Sequence, residues 1–137
     1  MISSLDHLGV AVASLEEALP LYEKILGLEL LGIEEVPEQQ VRVAVLGLGT
    51  TRLELLEPTA EDSPVAKFLE KRGQGLHHLA LRVEGDLQKT LGALADQGVR
   101  LIDRTPRSGA HGSAIAFLHP ASTGSVLVEL VAKPEKG

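Results

Sequence analysis

The chain has 137 residues, enough for one compact domain with its own core and too few for two ordinary ones. It has no cysteine, which excludes disulfides, thiolate metal sites and cysteine nucleophiles, so any metal site must draw on His and carboxylate. Net charge is −6, and the densest basic spots are only "EKR" at 70–72 and "RTPR" at 104–107, which argues against a nucleic-acid surface.

Hydrophobic residues make up 44% of the chain, but Tyr22, Phe68 and Phe117 are its only aromatics, so the core is aliphatic. No apolar run approaches the roughly 20 residues that span a bilayer. The N-terminus lacks a basic segment followed by a long apolar one, so no signal peptide is predicted and the cytoplasm is the expected location.

In chain order, "HLGVAV" (residues 7–12) alternates as a strand. A helix follows through "SLEEALPLYEKILGLEL", capped by Ser14 with Glu17 three residues later, stopped at Gly27 and kinked at Pro20. A short strand is predicted from Leu28 to Leu31. Two further strands joined by a turn fill "VRVAVLGLGTTRLELLEP" (41–58). A linker then carries its own helix, with Ser63 as cap, Pro64 in the first turn and Gly73 as stop.

At that point the order of elements starts again. "HLALRV" (78–83) matches residues 7–12 position by position, and Asp86 caps a helix that ends at Gly98. A short strand is expected from Val99 to Ile102, and two β-rich runs occupy 113–134. The result is βαβββ, a linker helix, and βαβββ: one domain over 1–137, with module 1 about 4–58, the linker about 59–74 and module 2 about 75–134. Two such modules predict an α+β fold with a pseudo-twofold axis.

Alternation sorts the candidate site residues. Leu8, Val10 and Val12 share one strand face, and His7, Gly9 and Ala11 the other. In the second copy, His78, Ala80 and Arg82 oppose Leu79, Leu81 and Val83. Each half therefore sets one histidine beside small residues, on the face away from its helix. His77 falls with the apolar set or at the strand entry. The final strands repeat the pattern with a carboxylate, Glu54 in "LELLEP" and Glu129 in "VLVELV". Glutamates are almost never fully buried unless paired or bound to a cation. A twofold axis would bring His7, Glu54, His78 and Glu129 together as a charge-compensated site for a divalent metal with open positions. His111 in "SGAHGS" and His119 in "FLHPAS" read as turn residues.

This arrangement resembles the vicinal oxygen chelate superfamily, which includes glyoxalase I, ring-cleaving dioxygenases and fosfomycin-resistance proteins. Within it, the chain is similar to the methylmalonyl-CoA epimerases over nearly its whole length, through "DHLGVAV", "YEKILGLEL", "VPEQQVRVAVLGLG", "DSPVAKFLEKRGQGLHHLALRV", "GVRLIDRTPRSGAHG" and "AFLHPASTGSVLVEL". The resemblance implies two βαβββ modules forming a cupped mixed β-sheet around a metal site. It implies a divalent metal (Co, Zn, Mn or Ni) on His7, Glu54, His78 and Glu129, an acyl-CoA substrate, a homodimer, and substrate contacts from Gln39, Ala110, His111 and Gly112. The expected reaction interconverts (2R)- and (2S)-methylmalonyl-CoA by α-proton abstraction through a metal-stabilised enolate.

Some epimerases carry a further glutamate on the strand after the "PEQ" element and a glutamine at the Glu54-type position. This chain has Val43 and Glu54 there. The expected acid/base pair is therefore Glu129 with Glu54, and Glu38 is the alternative second acid. Competing expectations are a lactoylglutathione lyase of the glyoxalase I type, which shares the ligand types, and a metal-free binding module of the same fold. An iron-dependent ring-cleaving dioxygenase is disfavoured by the second glutamate.

Overall fold

The structure is a computed structural model, and it describes residues 1–134. The strands are β1 (Ile2–Ala11), β2 (Glu29–Val36), β3 (Val41–Leu48), β4 (Thr51–Pro58), β5 (Gly75–Val83), β6 (Arg107–Ser108), β7 (Ala114–Leu118) and β8 (Val128–Ala132). The helices are α1 (Leu15–Pro20), α2 (Pro64–Arg72) and α3 (Leu87–Asp96). Among the described residues, no helix is long and apolar enough to cross a membrane. The chain divides into two compact units, one from His7 to His77 and one made of Met1–Asp6 with His78 onward.

In the unit from His7 to His77 the strand order is β2-β3-β4-β1, antiparallel except where β4 lies parallel to β1. Helix α1 packs on one face of this sheet, where Val12, Leu15, Ala44, Leu46 and Leu55 form a buried aliphatic core. Its start follows the predicted cap, with Ser14 Oγ accepting the Glu17 N–H at 3.3 Å. Pro20 has no N–H to give to the turn before it. The helix does not break there but widens into a π-turn over Leu21–Ile25, closed by the Leu26 N–H donating to the Leu21 carbonyl at 2.8 Å. Gly27, at φ +78°, then turns the chain into β2. Strand β2 is longer than the four residues expected, because it continues past a register shift between Leu30 and Gly32. Helix α2 begins as predicted, with Ser63 Oγ accepting the Ala66 N–H at 3.0 Å.

The other unit has the strand order β1-β5-β8-β7-β6, with β5 and β8 parallel. The first residues of β1 are tied here by the Glu84 N–H donating to the Met1 carbonyl at 2.8 Å, and Ser3 Oγ donates to the Arg82 carbonyl at 3.3 Å. Val83, Leu87, Leu91, Ala116, Leu118, Val128 and Leu130 form the core between α3 and the sheet. Asp86 caps α3 through the Gln88 N–H at 2.9 Å.

The strand expected at Val99–Ile102 does not form. Only Leu101 makes a bridge, to Leu118, because the N–H groups of Ile102 and Asp103 both turn to the Phe117 carbonyl, at 2.9 and 3.3 Å. Two amides on one acceptor bend the chain out of ladder register, and the edge of the sheet is made later, by Arg107 and Ser108 against Ile115 and Ala114.

Candidate functional site

Each unit sets one histidine against one glutamate. In the first, β1 and β4 run parallel with Gly9 across from Glu54, so His7, two residues earlier on the same face, reaches the carboxylate. His7 Nε2 lies 3.5 Å from Glu54 Oε1, and both side chains are buried. In the second, Ala80 lies across from Glu129 on β5 and β8. His78 Nε2 is 3.4 Å from Glu129 Oε1, again with both buried. The small residue facing each glutamate, Gly9 or Ala80, leaves the carboxylate room to meet the imidazole.

These separations bear on what the pairs can hold. A charge-assisted N–H···O bond runs at about 2.7–2.9 Å. Two donors bound to one ion at about 2.1 Å, with roughly 90 to 110° between them, lie about 3.0–3.4 Å apart. The observed 3.4 and 3.5 Å are long for the hydrogen bond and near the donor–donor edge of a coordination polyhedron. The chemistry fits as well, since neutral imidazole with carboxylate is a donor set for first-row divalent ions. His7, His78 and Glu129 are buried candidate donors for a metal ion, and Glu54 occupies in its own unit the place that Glu129 occupies in the other.

The environments of the two carboxylates differ. Arg52 Nη2 stands 4.0 Å from Glu54 Oε2, from a side chain two residues away on the same face of β4. Beside Glu129, the residue directly across the ladder is Phe117 on β7, whose ring meets the His78 imidazole edge-on at 6.0 Å and 87°. Alternation could have placed Arg52 on the Glu54 face. The Phe117 contact joins strands far apart in sequence and left no local signal.

His77 is a different kind of residue. Its ring packs edge-on against Phe68 of α2 at 5.0 Å, and burial pushes its pKa down to about 4, so it is a neutral packing group. His119 Nδ1 accepts the Ala121 N–H at 3.0 Å and caps a 3₁₀ turn, as a structural residue does. His111 is exposed in the turn Ala110–Gly112, at φ +58°. That turn is tightly built: a Cβ on Gly109 would come within 2.6 Å of Ile115 Cγ2, and Ser113 Oγ donates to the Ala110 carbonyl at 2.7 Å. Gln39 ends the 3₁₀ turn Pro37–Gln39, half-buried, while Glu38 in the same turn is exposed. Val43 is buried, across from Glu34 on β2 and Leu56 on β4.

With this fold and these paired donors, the chain belongs to the Glyoxalase/Bleomycin resistance protein/Dioxygenase superfamily, whose family model matches residues 6–117. Among curated relatives it is 53% identical over 129 residues to the uncharacterized protein YqjC of Bacillus subtilis, covering 94% of this chain and 91% of that one. It is 39% identical over 132 residues to the ethylmalonyl-CoA/methylmalonyl-CoA epimerase of Cereibacter sphaeroides, covering 95% and 98%. Among solved structures, methylmalonyl-CoA epimerase from Mycobacterium tuberculosis superposes with a TM-score of 0.93 at 41% identity, covering 98% of this chain and 90% of that one.

Proposed function

We propose that this protein is a methylmalonyl-CoA epimerase in which His7, Glu54, His78 and Glu129 hold one divalent metal and the two glutamates carry the proton. The observation that carries this reading is the repeated histidine–glutamate pair, at 3.5 Å in one unit and 3.4 Å in the other, on a chain similar throughout to such epimerases. Methylmalonyl-CoA has one stereogenic carbon between a carboxylate and a thioester carbonyl. When bound, a divalent ion supplies Lewis-acid stabilisation of the negative charge that builds up as the α-proton leaves.

The residues of the chain supply the rest. Inversion needs one group to take the proton and another to return it to the opposite face, so two carboxylates, one from each repeat, suit a two-base exchange. Glu54 and Glu129 are the carboxylates that the repeat puts at equivalent positions, and Val43 leaves β3, which lies between β4 and β2, without an acid at that point. Arg52 braces the far oxygen of Glu54. In the turn at Ala110, His111 and Gly112, backbone N–H groups and an exposed glycine are offered to the thioester end of the substrate, and Gln39 is its counterpart in the other unit. Cobalt, zinc, manganese and nickel all suit this donor set. A homodimer and a cytoplasmic place of work belong to the same reading, carried by the family resemblance.

The test is proton exchange at the α-carbon of (2S)-methylmalonyl-CoA in D₂O, followed by NMR and a chiral coupled assay, with and without chelator. Deuterium incorporation with inversion, abolished by chelator and restored by a divalent ion, is expected. No exchange with any of the four metals would overturn the assignment and direct the next assay to lactoylglutathione lyase activity.

A further inference from the structure

The chain contains only two phenylalanines, and each is spent on one member of the His77-His78 pair. Phe68 meets His77 edge-on at 5.0 Å, and the Arg72 guanidinium lies 5.8 Å from the same ring. Phe117 meets His78 at 6.0 Å, and the Arg107 guanidinium lies 5.2 Å from its centroid. The motif of imidazole, ring and guanidinium is thus used twice. The first copy supports a neutral packing histidine.

The second copy has an extra anchor. Asp103 Oδ2 accepts the Phe117 N–H at 2.8 Å, and Asp103 Oδ1 lies 3.4 Å from Arg107 Nε. The Asp103 N–H donates in turn to the Phe117 carbonyl, so one residue grips both backbone polar groups of Phe117 on the side away from β8. On the β8 side, Phe117 stands directly across from Glu129. The ring therefore adjoins both donors of the half-site, with a guanidinium fixed over it by the aspartate that fixes its backbone. Ala80, the residue facing Glu129 on β5, has too small a side chain to restrain either donor.

We infer that Phe117 is a positioning residue for the metal, held by Asp103 and Arg107, and that it sets the His78 imidazole and the Glu129 carboxylate at the separation an ion requires. This rests on the metal reading of the site proposed above. An edge-on aromatic contact restricts the rotation of an imidazole about its χ2, and a ligand fixed in its binding orientation before the ion arrives loses less freedom on binding. Groups that orient metal ligands typically contribute 10–100-fold to affinity, and a ring with no hydrogen bond to the ligand belongs at the low end of that range.

The experiment is a cobalt titration of the full chain, read by visible absorption, together with thermal unfolding of the metal-free protein. It compares the wild type with Phe117→Leu, Arg107→Gln and Phe68→Leu. Phe117→Leu is expected to weaken cobalt binding about tenfold and Arg107→Gln about threefold, while Phe68→Leu lowers the unfolding temperature and leaves cobalt affinity within twofold. Arg107 is half-exposed, so its variant tests the idea even where Phe117→Leu folds poorly. Cobalt affinities of Phe117→Leu and Arg107→Gln equal to the wild type would overturn the positioning role and leave the metal site standing, as would an equal loss in Phe68→Leu. A wild type that binds no cobalt would overturn the metal reading and this role with it.

Discussion

The two half-sites agree where chemistry constrains them and differ where it does not. His7–Glu54 and His78–Glu129 have nearly the same separation, 3.5 and 3.4 Å, from equivalent strands in equivalent register. Their supports are built differently: a guanidinium stands directly beside Glu54 in one, and in the other a ring, with the Arg107 guanidinium over it, stands beside His78 and Glu129. A repeat can keep donor geometry while the surroundings drift, because an ion needs fixed donor positions and any packing that achieves them serves. The largest expected effect would break the equivalence of the two carboxylates. Glu54→Gln and Glu129→Gln should each slow deuterium exchange by two or more orders of magnitude, the usual worth of general acid–base catalysis. Glu54→Gln should keep its metal, read by elemental analysis, because an amide oxygen can still coordinate. Full exchange by Glu54→Gln would reduce the acid/base machinery to one half.

Removing the metal tests whether the halves act together. An ion present at about 100 times its dissociation constant stabilises the folded chain by about 2.7 kcal/mol. For a domain of 137 residues that corresponds to a fall of roughly 10 °C in unfolding temperature on adding chelator. His7→Ala and His78→Ala should each abolish the chelator effect. A shift that persists in one of them would place the ion on a single half.

The adjacent histidines offer a finer contrast. His77 is neutral in the folded chain, with its pKa pushed down to about 4 by burial, while an unfolded histidine titrates near 6.5. Its contribution to stability is complete above pH 6.5 and is lost as pH falls toward 4, because the unfolded chain takes up the proton first. Between pH 7.5 and 5 that amounts to about 1–2 kcal/mol after allowance for its partial exposure. His77→Leu should remove that much of the pH dependence of the unfolding free energy over this range, measured by urea titration with chelator present so that metal binding does not contribute. An unchanged pH dependence would show that His77 takes up its proton as readily in the folded chain as in the unfolded one.

Much of this was legible in the sequence because it is local or repeated. Capping by Ser14, Ser63 and Asp86 depends on residues within one turn, and each cap forms as the spacing predicts. The histidines and glutamates stood out because the repeat wrote them twice and strand alternation fixed their faces. What depends on long-range packing was not legible. The strand expected at Val99–Ile102 has adequate β-propensity and is lost to two amides competing for the Phe117 carbonyl. The length of β2 was missed because a register shift at Leu30 and Gly32 interrupts the alternation that marks a strand. Nothing near Phe117 in the sequence marks a role for it, and only the ladder to β8 shows which glutamate it faces.

The smallest expected effect concerns Arg52. Its guanidinium lies 4.0 Å from Glu54 Oε2, at the limit of an ion pair, on a side chain that is 22% exposed. At that distance and exposure the interaction is worth about 1 kcal/mol, well short of a buried bidentate pair. Arg52→Gln should therefore lower kcat/KM about fivefold, the equivalent of that energy in the transition state. The effect should fall mainly on kcat, since the brace acts on Glu54, one of the two proposed proton carriers. Arg52→Lys, which keeps the charge and loses the fork, should recover about half of the loss on a logarithmic scale. Asp103→Asn in the other half should act the opposite way, through metal affinity, with kcat at saturating metal little changed. If both substitutions instead changed kcat and metal affinity in the same ratio, the two supports would be doing one job, and the difference between the half-sites would be one of residue type alone.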